Sequence, residues 1–198
     1  MAIRDEKDAL RRSARARRRE LAMASGREAA QAVADVVLGA PGLAGALVED
    51  VVAAAYWPIG SELDPTPLIE RLALRGVRIA LPVVEVPGRP LGFRRYRPGE
   101  TLVQGAFGTL VPPPEAAAVE PAVVFAPLLA ADRAGHRLGR GGGYYDLTLA
   151  ALRARGALRA VGLCFAGQVA ARVPHEAGDE RLDWLVTEAG AIECRLGV

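Results

Sequence analysis

The chain has 198 residues and a mass of 20.8 kDa, with 51% hydrophobic, 24% charged and 5% aromatic residues; this balance supports a packed core in one domain and excludes the disordered class. Cys164 and Cys194 provide neither a disulfide framework nor a zinc ligand set and read as buried thiols of a cytoplasmic protein, and the sequence shows neither a membrane-length apolar run nor the pattern of a signal peptide. Charge is uneven: residues 1–20 hold eight bases against four acids, an excess above the net +2 of the whole chain, and Lys7 is the one lysine beside 24 arginines.

In chain order, residues 5–22 predict a helix with Asp5 as a possible cap and Leu10, Ala14 and Leu21 on an apolar stripe. Its other faces are arginine-rich. Arg11/Arg15, Arg12/Arg15, Arg15/Arg18 and Arg15/Arg19 stand at helical contact spacing, each pair costing about 0.2–0.5 kcal/mol unless an anion relieves it. Ser25-Gly26-Arg27-Glu28 has capping-box spacing and opens a second helix through Val33 and Val37, which Pro41-Gly42 ends. Short apolar runs then alternate with helix-length segments. Residues 51–57, 77–84, 122–130, 160–166 and 184–187 predict strands, residues 67–75 and 144–155 helices, and the alternating residues 91–97 an additional antiparallel strand. Near-continuous Val/Ala/Leu runs imply strands covered on both faces, hence an open α/β fold with a mainly parallel sheet flanked by helices.

The strongest chemical signal is Arg137-Leu138-Gly139-Arg140-Gly141-Gly142-Gly143-Tyr144-Tyr145-Asp146. Placed between a strand and a helix, it can aim backbone N–H groups and a helix N-terminus at one anion, with Arg137 and Arg140 as forked donors. It fits neither the P-loop nor the dinucleotide fingerprint, and a flexible surface loop is the bland alternative. Asp146, on the first helical turn, either complements the helix dipole or, beside phosphates, serves as a Mg²⁺ ligand. Asp179 is the candidate second ligand, though by itself it reads as solvated. After the first strand, the loop from Tyr56 and Trp57 to Glu62 and Asp64 either stacks on and hydrogen-bonds a flat heterocycle, or puts its aromatics in the core and its acids on a helix cap. His136 and His175 read as surface residues.

With these motifs the sequence resembles the 5-formyltetrahydrofolate cyclo-ligase family over nearly its whole length: Lys7-x-x-Leu10-Arg11, Gly60-Ser61-Glu62, the Arg137–Asp146 segment, and Val173-Pro174 followed by Asp179 and Asp183. The resemblance implies the architecture shared by sugar-phosphate isomerases and CoA transferases. It also implies ATP-dependent conversion of 5-formyltetrahydrofolate to 5,10-methenyltetrahydrofolate with Mg²⁺; the chain is expected to act as a monomer in the cytoplasm. By position, Lys7, Arg11 and the segment Arg137, Leu138, Gly139, Arg140, Gly141, Gly142, Gly143, Tyr144 and Tyr145 would hold the nucleotide. Trp57, Glu62, Arg140 and Tyr144 would face the folate, with Arg140, Tyr144 and Glu62 nearest the chemistry, and Asp146 and Asp179 would hold the metal. Gly142 stands where some members have Lys, and Val111 where a Glu is common. A sugar-phosphate isomerase on the same scaffold would need no ATP. An RNA-binding reading would rest on the basic helix alone, without an aromatic-interleaved motif.

Overall fold

The structure, a computed structural model, describes residues 2–194. Helix α1 spans Ile3–Gly39 and is broken in direction at Ser25, whose φ of −153° is not helical. The expected two helices are therefore one assigned helix with a kink. The capping box does not form: Ser25 Oγ donates back to the Leu21 carbonyl at 3.5 Å instead. The short α2 (Pro41–Ala44) follows, with proline at its start.

The strands and remaining helices are β1 (Val52–Ala54), α3 (Thr66–Leu74), β2 (Arg78–Val83), β3 (Gly92–Tyr96), β4 (Val103–Gln104), β5 (Leu110–Val111), β6 (Val123–Pro127), β7 (Ala130–Ala131), β8 (Arg137–Leu138), α4 (Tyr144–Arg153), β9 (Arg159–Leu163), β10 (Trp184–Thr187) and β11 (Gly190–Glu193). The main sheet runs β11-β10-β9-β6-β1-β2-β3. Its five inner strands are parallel, and antiparallel β3 and β11 form the edges. The antiparallel strand expected at 91–97 is β3. The apolar run 122–130 divides: pairing with β1 and β9 ends at Pro127, and Ala130–Ala131 turns away to form the β7–β8 hairpin. The glycine segment thus begins on a hairpin strand rather than wholly in a loop.

Alternation along the strands builds two apolar layers. Ala53, Ile79, Leu81, Val123, Phe125, Val161 and Leu163 pack beneath the second half of α1 and α3, where Val33, Val37, Leu68 and Leu72 are buried. Val52, Ala54, Ala80, Val124 and Ala160 face the other way and meet Leu149 and Leu152 of α4. Both faces are covered, which explains the unbroken apolar runs. Cys164 is buried in this second layer, whereas Cys194, expected to be buried, is only partly so. Burial pushes the Cys194 thiol up to about 11 all the same. Among the described residues no helix is long and apolar enough to cross a membrane.

Between β1 and β6 the chain order reverses direction across the sheet: β1 leads through α3 to β2 on one side and later to β6 on the other. In open parallel sheets such a switch point leaves a crevice at the strands' carboxyl ends.

Gly162 lies in the middle of the sheet, paired with Ala126 and Leu185. A Cβ there would stand 2.5 Å from Leu182 Cδ1 and 2.9 Å from Leu128 Cδ2. Gly162→Ala is expected to overpack this face and lower stability by about 1–3 kcal/mol in urea unfolding.

Candidate active site

The crevice is a cavity of about 460 Å³. Residues ending three adjacent strands line it: Tyr56 and Trp57 beyond β1, Pro82 and Val84 at β2, Pro127 and Leu128 at β6. The Arg137–Asp146 segment forms one wall, Lys7, Arg11 and Arg18 of α1 another, and Phe107 and Leu110 of the β4–β5 hairpin a third. The nucleotide, folate and metal residues implied by the resemblance all border this one cavity, whereas Asp64 does not.

The glycine segment takes its shape from two left-handed residues, Gly141 (φ +104°) and Gly143 (φ +68°), the latter immediately preceding α4. A side chain at either would be strained. At Gly141 it would also project to within 3.5 Å of the Arg11 guanidinium carbon. The helix N-terminus and the loop amides are thereby left open to an anion. Arg11 Nε donates to the Gly139 carbonyl at 3.2 Å and Arg15 Nη2 to the Arg140 carbonyl at 3.5 Å, tying α1 to this wall. Arg11 also pairs with Asp8 at 2.6 Å, relieving part of the arginine crowding read from the sequence.

Arg137 is buried and bonds Asp146 Oδ1 through Nη2 at 2.6 Å, its guanidinium 5.4 Å from the Tyr145 ring centroid. Its Nε is a buried donor with no partner among the described residues. Such an orphan is costly unless an acceptor arrives, and a phosphate oxygen is the acceptor this wall suits.

Lys7 Nζ lies 2.6 Å from Asp179 Oδ2 and 3.0 Å from Glu176 Oε1. Asp179 is thus paired rather than solvated. Burial alone would lower the Lys7 pKa, but its bonds to Asp179 and Glu176 outweigh that and hold the ammonium above its ordinary value. Burial likewise opposes the Asp179 charge, and the bonds from Lys7 and the Glu176 N–H overcome it, holding the carboxyl below its ordinary range.

The two carboxylates expected to bind Mg²⁺ each use one oxygen on protein. Asp146 Oδ1 accepts from Arg137 and the Glu180 N–H, and Asp179 Oδ2 from Lys7 and the Glu176 N–H. Among the described residues the opposite oxygens accept no hydrogen bond. Mg²⁺ commonly takes one or two carboxylates and completes its shell with substrate phosphates and water, so this donor set fits. No group of three or more candidate ligand side chains gathers among the described residues, which leaves the remaining positions to phosphate and water.

The two readings of the 56–64 loop divide by residue. Tyr56 is core, its hydroxyl donating to the Leu63 carbonyl at 2.7 Å; burial and then the nearby Glu62 charge push its phenol well above the ordinary value. Trp57 is half-buried at the cavity, edge-on to Tyr96. Asp64 caps, accepting from the Thr66 N–H at 2.9 Å. Glu62 does not cap α3. Its side chain, 3% exposed, accepts from the Ile59 N–H at 2.9 Å and faces Arg18 at 3.5 Å.

Arg18 and Phe107 are cavity residues that motif reasoning missed. The signal for Arg18 was present: it lies four residues after Ala14 and three before Leu21, inside the apolar stripe. Phe107 has a left-handed backbone (φ +57°) and packs against Tyr144 with ring centroids 5.7 Å apart; no pattern in the sequence marks it. His136, expected at the surface, is partly buried and stacked on exposed His175 at 3.5 Å. Asp132 holds it through Nδ1 at 3.1 Å.

The Asp179 contribution has a definite sign. A carboxyl held below its ordinary value near 3.8 stabilises the fold at higher pH, and that contribution is lost as pH falls through the lowered value. Asp179→Asn is therefore expected to cost up to about 1 kcal/mol at neutral pH. The gap to the wild type should close on acidification, as followed by thermal melts across pH.

Comparison with known proteins bears on the family and the fold. The family model described as the 5-formyltetrahydrofolate cyclo-ligase family matches residues 3–188. A 5-formyltetrahydrofolate cyclo-ligase of Mycolicibacterium smegmatis is 42% identical over 54% of this chain and 59% of its own length. That of Escherichia coli K12 is 39% identical over 48% of this chain and 56% of its own. The chain thus matches somewhat over half the length of these relatives. The solved structure of Aquifex aeolicus 5,10-methenyltetrahydrofolate synthetase superposes with a TM-score of 0.78 at 32% identity, covering 97% of this chain and 94% of that one. A 5,10-methenyltetrahydrofolate synthetase from Mycoplasma pneumoniae shares the fold, with a TM-score of 0.71 at 20% identity, over 92% of this chain and 98% of that one. With a family match running from the first turn of α1 to just past β10, the chain belongs to the 5-formyltetrahydrofolate cyclo-ligase family.

Proposed function

We propose that this protein converts 5-formyltetrahydrofolate and ATP to 5,10-methenyltetrahydrofolate, ADP and phosphate. The observation that carries the reading is a single cavity lined by two unlike sets of groups. Its lining includes glycine-loop amides, a helix N-terminus and the buried Nε of Arg137, which has no partner among the described residues, and also Trp57 and the buried Glu62. The first suits a triphosphate, the second a flat polar heterocycle.

An amide is a poor electrophile with a poor leaving group, so its oxygen must be activated before ring closure. The formyl oxygen attacks the γ-phosphorus of ATP and the P–O bond to ADP breaks, giving an N5-iminium phosphate. N10 then adds to the formyl carbon and loses its proton, and the C–O bond breaks to release phosphate. Phosphoryl transfer of this kind depends mostly on alignment and charge neutralisation. Lys7, Arg11, Arg137 and Arg140 supply cations along the phosphates, and the amides of Gly139–Gly143 orient them. Arg140 and Tyr144 stand between the two ligands, and Glu62 orients the folate ring. Asp146 and Asp179 would hold Mg²⁺, which would supply further neutralisation of phosphate charge. Lys7 is paired with Asp179 and Glu176, so a phosphate bound by Lys7 would exchange one set of anionic partners for another.

The test is turnover of 5-formyltetrahydrofolate with Mg²⁺-ATP, read as methenyl absorbance together with ADP. Release of neither product overturns the reading, and turnover of a sugar phosphate without ATP would favour the isomerase alternative. Asp146→Asn is expected to lower kcat by about 100-fold; unaltered activity removes the metal assignment. Lys7→Arg, which replaces a compact ammonium by a planar fork, is expected to raise the KM for ATP while leaving that for the folate unchanged.

A further inference from the structure

The guanidinium of Arg18 holds three bonds and leaves one edge unused. Its Nε donates to Ser61 Oγ at 3.2 Å, and its Nη1 to the Leu128 carbonyl at 3.2 Å and to Glu62 Oε1 at 3.5 Å. No described residue accepts from Nη2. Arg137 Nε is the one sealed side-chain donor or acceptor without a partner among the described residues. Nη2 of Arg18 therefore keeps contact with open space, and the space that Arg18 lines is the cavity. Burial pulls the Arg18 pKa below its ordinary value, with the Glu62 charge opposing. An arginine kept 7% exposed at that cost, with two N–H groups left over, is poorly explained as a strut for α1 alone.

Arg18 and Glu62 thus present a donor beside an acceptor in the lining of the cavity. A reduced folate carries the complementary edge on its pyrimidine ring: the 2-amino group and N3–H donate, and the 4-oxo group accepts. Resting on the cyclo-ligase reading, we propose that Arg18 is a specificity-determining residue that donates through Nη2 to the 4-oxo oxygen, while Glu62 accepts from the 2-amino and N3–H groups. The pair selects 2-amino-4-oxo pyrimidines. A 4-amino ring presents a donor to Arg18 and leaves both groups unpaired, the situation in which a polar site discriminates most strongly.

The experiment is equilibrium dialysis of 5-formyltetrahydrofolate and of its 4-amino counterpart against wild type, Arg18→Met and Arg18→Lys. Wild type is expected to prefer the 4-oxo ligand by about 100-fold. Arg18→Met should lose most of that preference while the KM for ATP stays within about twofold of wild type, because Arg18 bonds Ser61, Glu62 and Leu128 and none of the residues assigned to the nucleotide. Arg18→Lys, with a charge but no fork, should retain part of it, and it carries the test if the methionine variant does not fold. A strut would weaken both ligands equally, so an unchanged ratio in either variant overturns the assignment. Failure of wild type to bind either ligand is a different result, which overturns the cyclo-ligase reading and the Arg18 assignment with it.

Discussion

Charge removed from water must be met by charge or by hydrogen bonds, and this site is built around that requirement. Arg18, Arg137 and Glu62 are buried, and Lys7 nearly so. Each meets a partner from a second segment: Arg18 from α1 meets Glu62 from the β1–α3 loop, Lys7 meets Asp179 from the segment before β10, and Arg137 meets Asp146 at the start of α4. Removing one member of such a pair is more damaging than either pair is stabilising, because the survivor is left charged in a poor solvent. The pairs therefore define where segments distant in sequence must stand, and the cavity is the volume left between them.

The fold supplies what the ion pairs cannot. Parallel strands covered on both faces end at a common level, so the loops leaving β1, β2 and β6 converge at the switch point. The second half of α1 is fixed by packing of Val33, Ala34 and Val37 on the sheet. Its first half is held by polar contacts to the cavity walls, aided by Leu10 and Ala14 against Leu129, Ala130 and Leu138. The break at Ser25 lets one helix serve both purposes, since the two halves need not share an axis. Gly167, in the turn after β9, lets the first half approach closely: a Cβ there would come within 2.9 Å of Leu21.

Much of this was legible in the sequence where one periodicity or one motif sufficed. The parallel strands showed as apolar runs, β3 as an alternating one, and the anion-binding segment as glycines bracketed by arginines. The misses share a cause. β11 is a short edge strand of mixed polarity, identifiable only by its pairing with β10. The run 122–130 looked continuous because hydrophobicity does not report where a strand leaves its sheet. Ser25 has capping-box spacing, yet the helix continues past it, because packing on both sides outweighs a local cap. Asp179 looked solvated because its partner lies 172 residues away. Arg18 was hidden among three consecutive arginines, where only the phase of the helix separates the one facing the cavity from its neighbours.

The arginine-rich composition leaves Lys7 as the chain's one side-chain amine. It stands in the cavity wall, 12% exposed and held as an ammonium by two carboxylates. Reagents that acylate or alkylate amines act on the unprotonated form, so the ion pairs that hold Lys7 in place also mask it. Within these 198 residues, side-chain amine labelling reports on a single site. Anything that draws Asp179 or Glu176 away from Lys7 will show as a change in one labelling rate, with no background from other lysines.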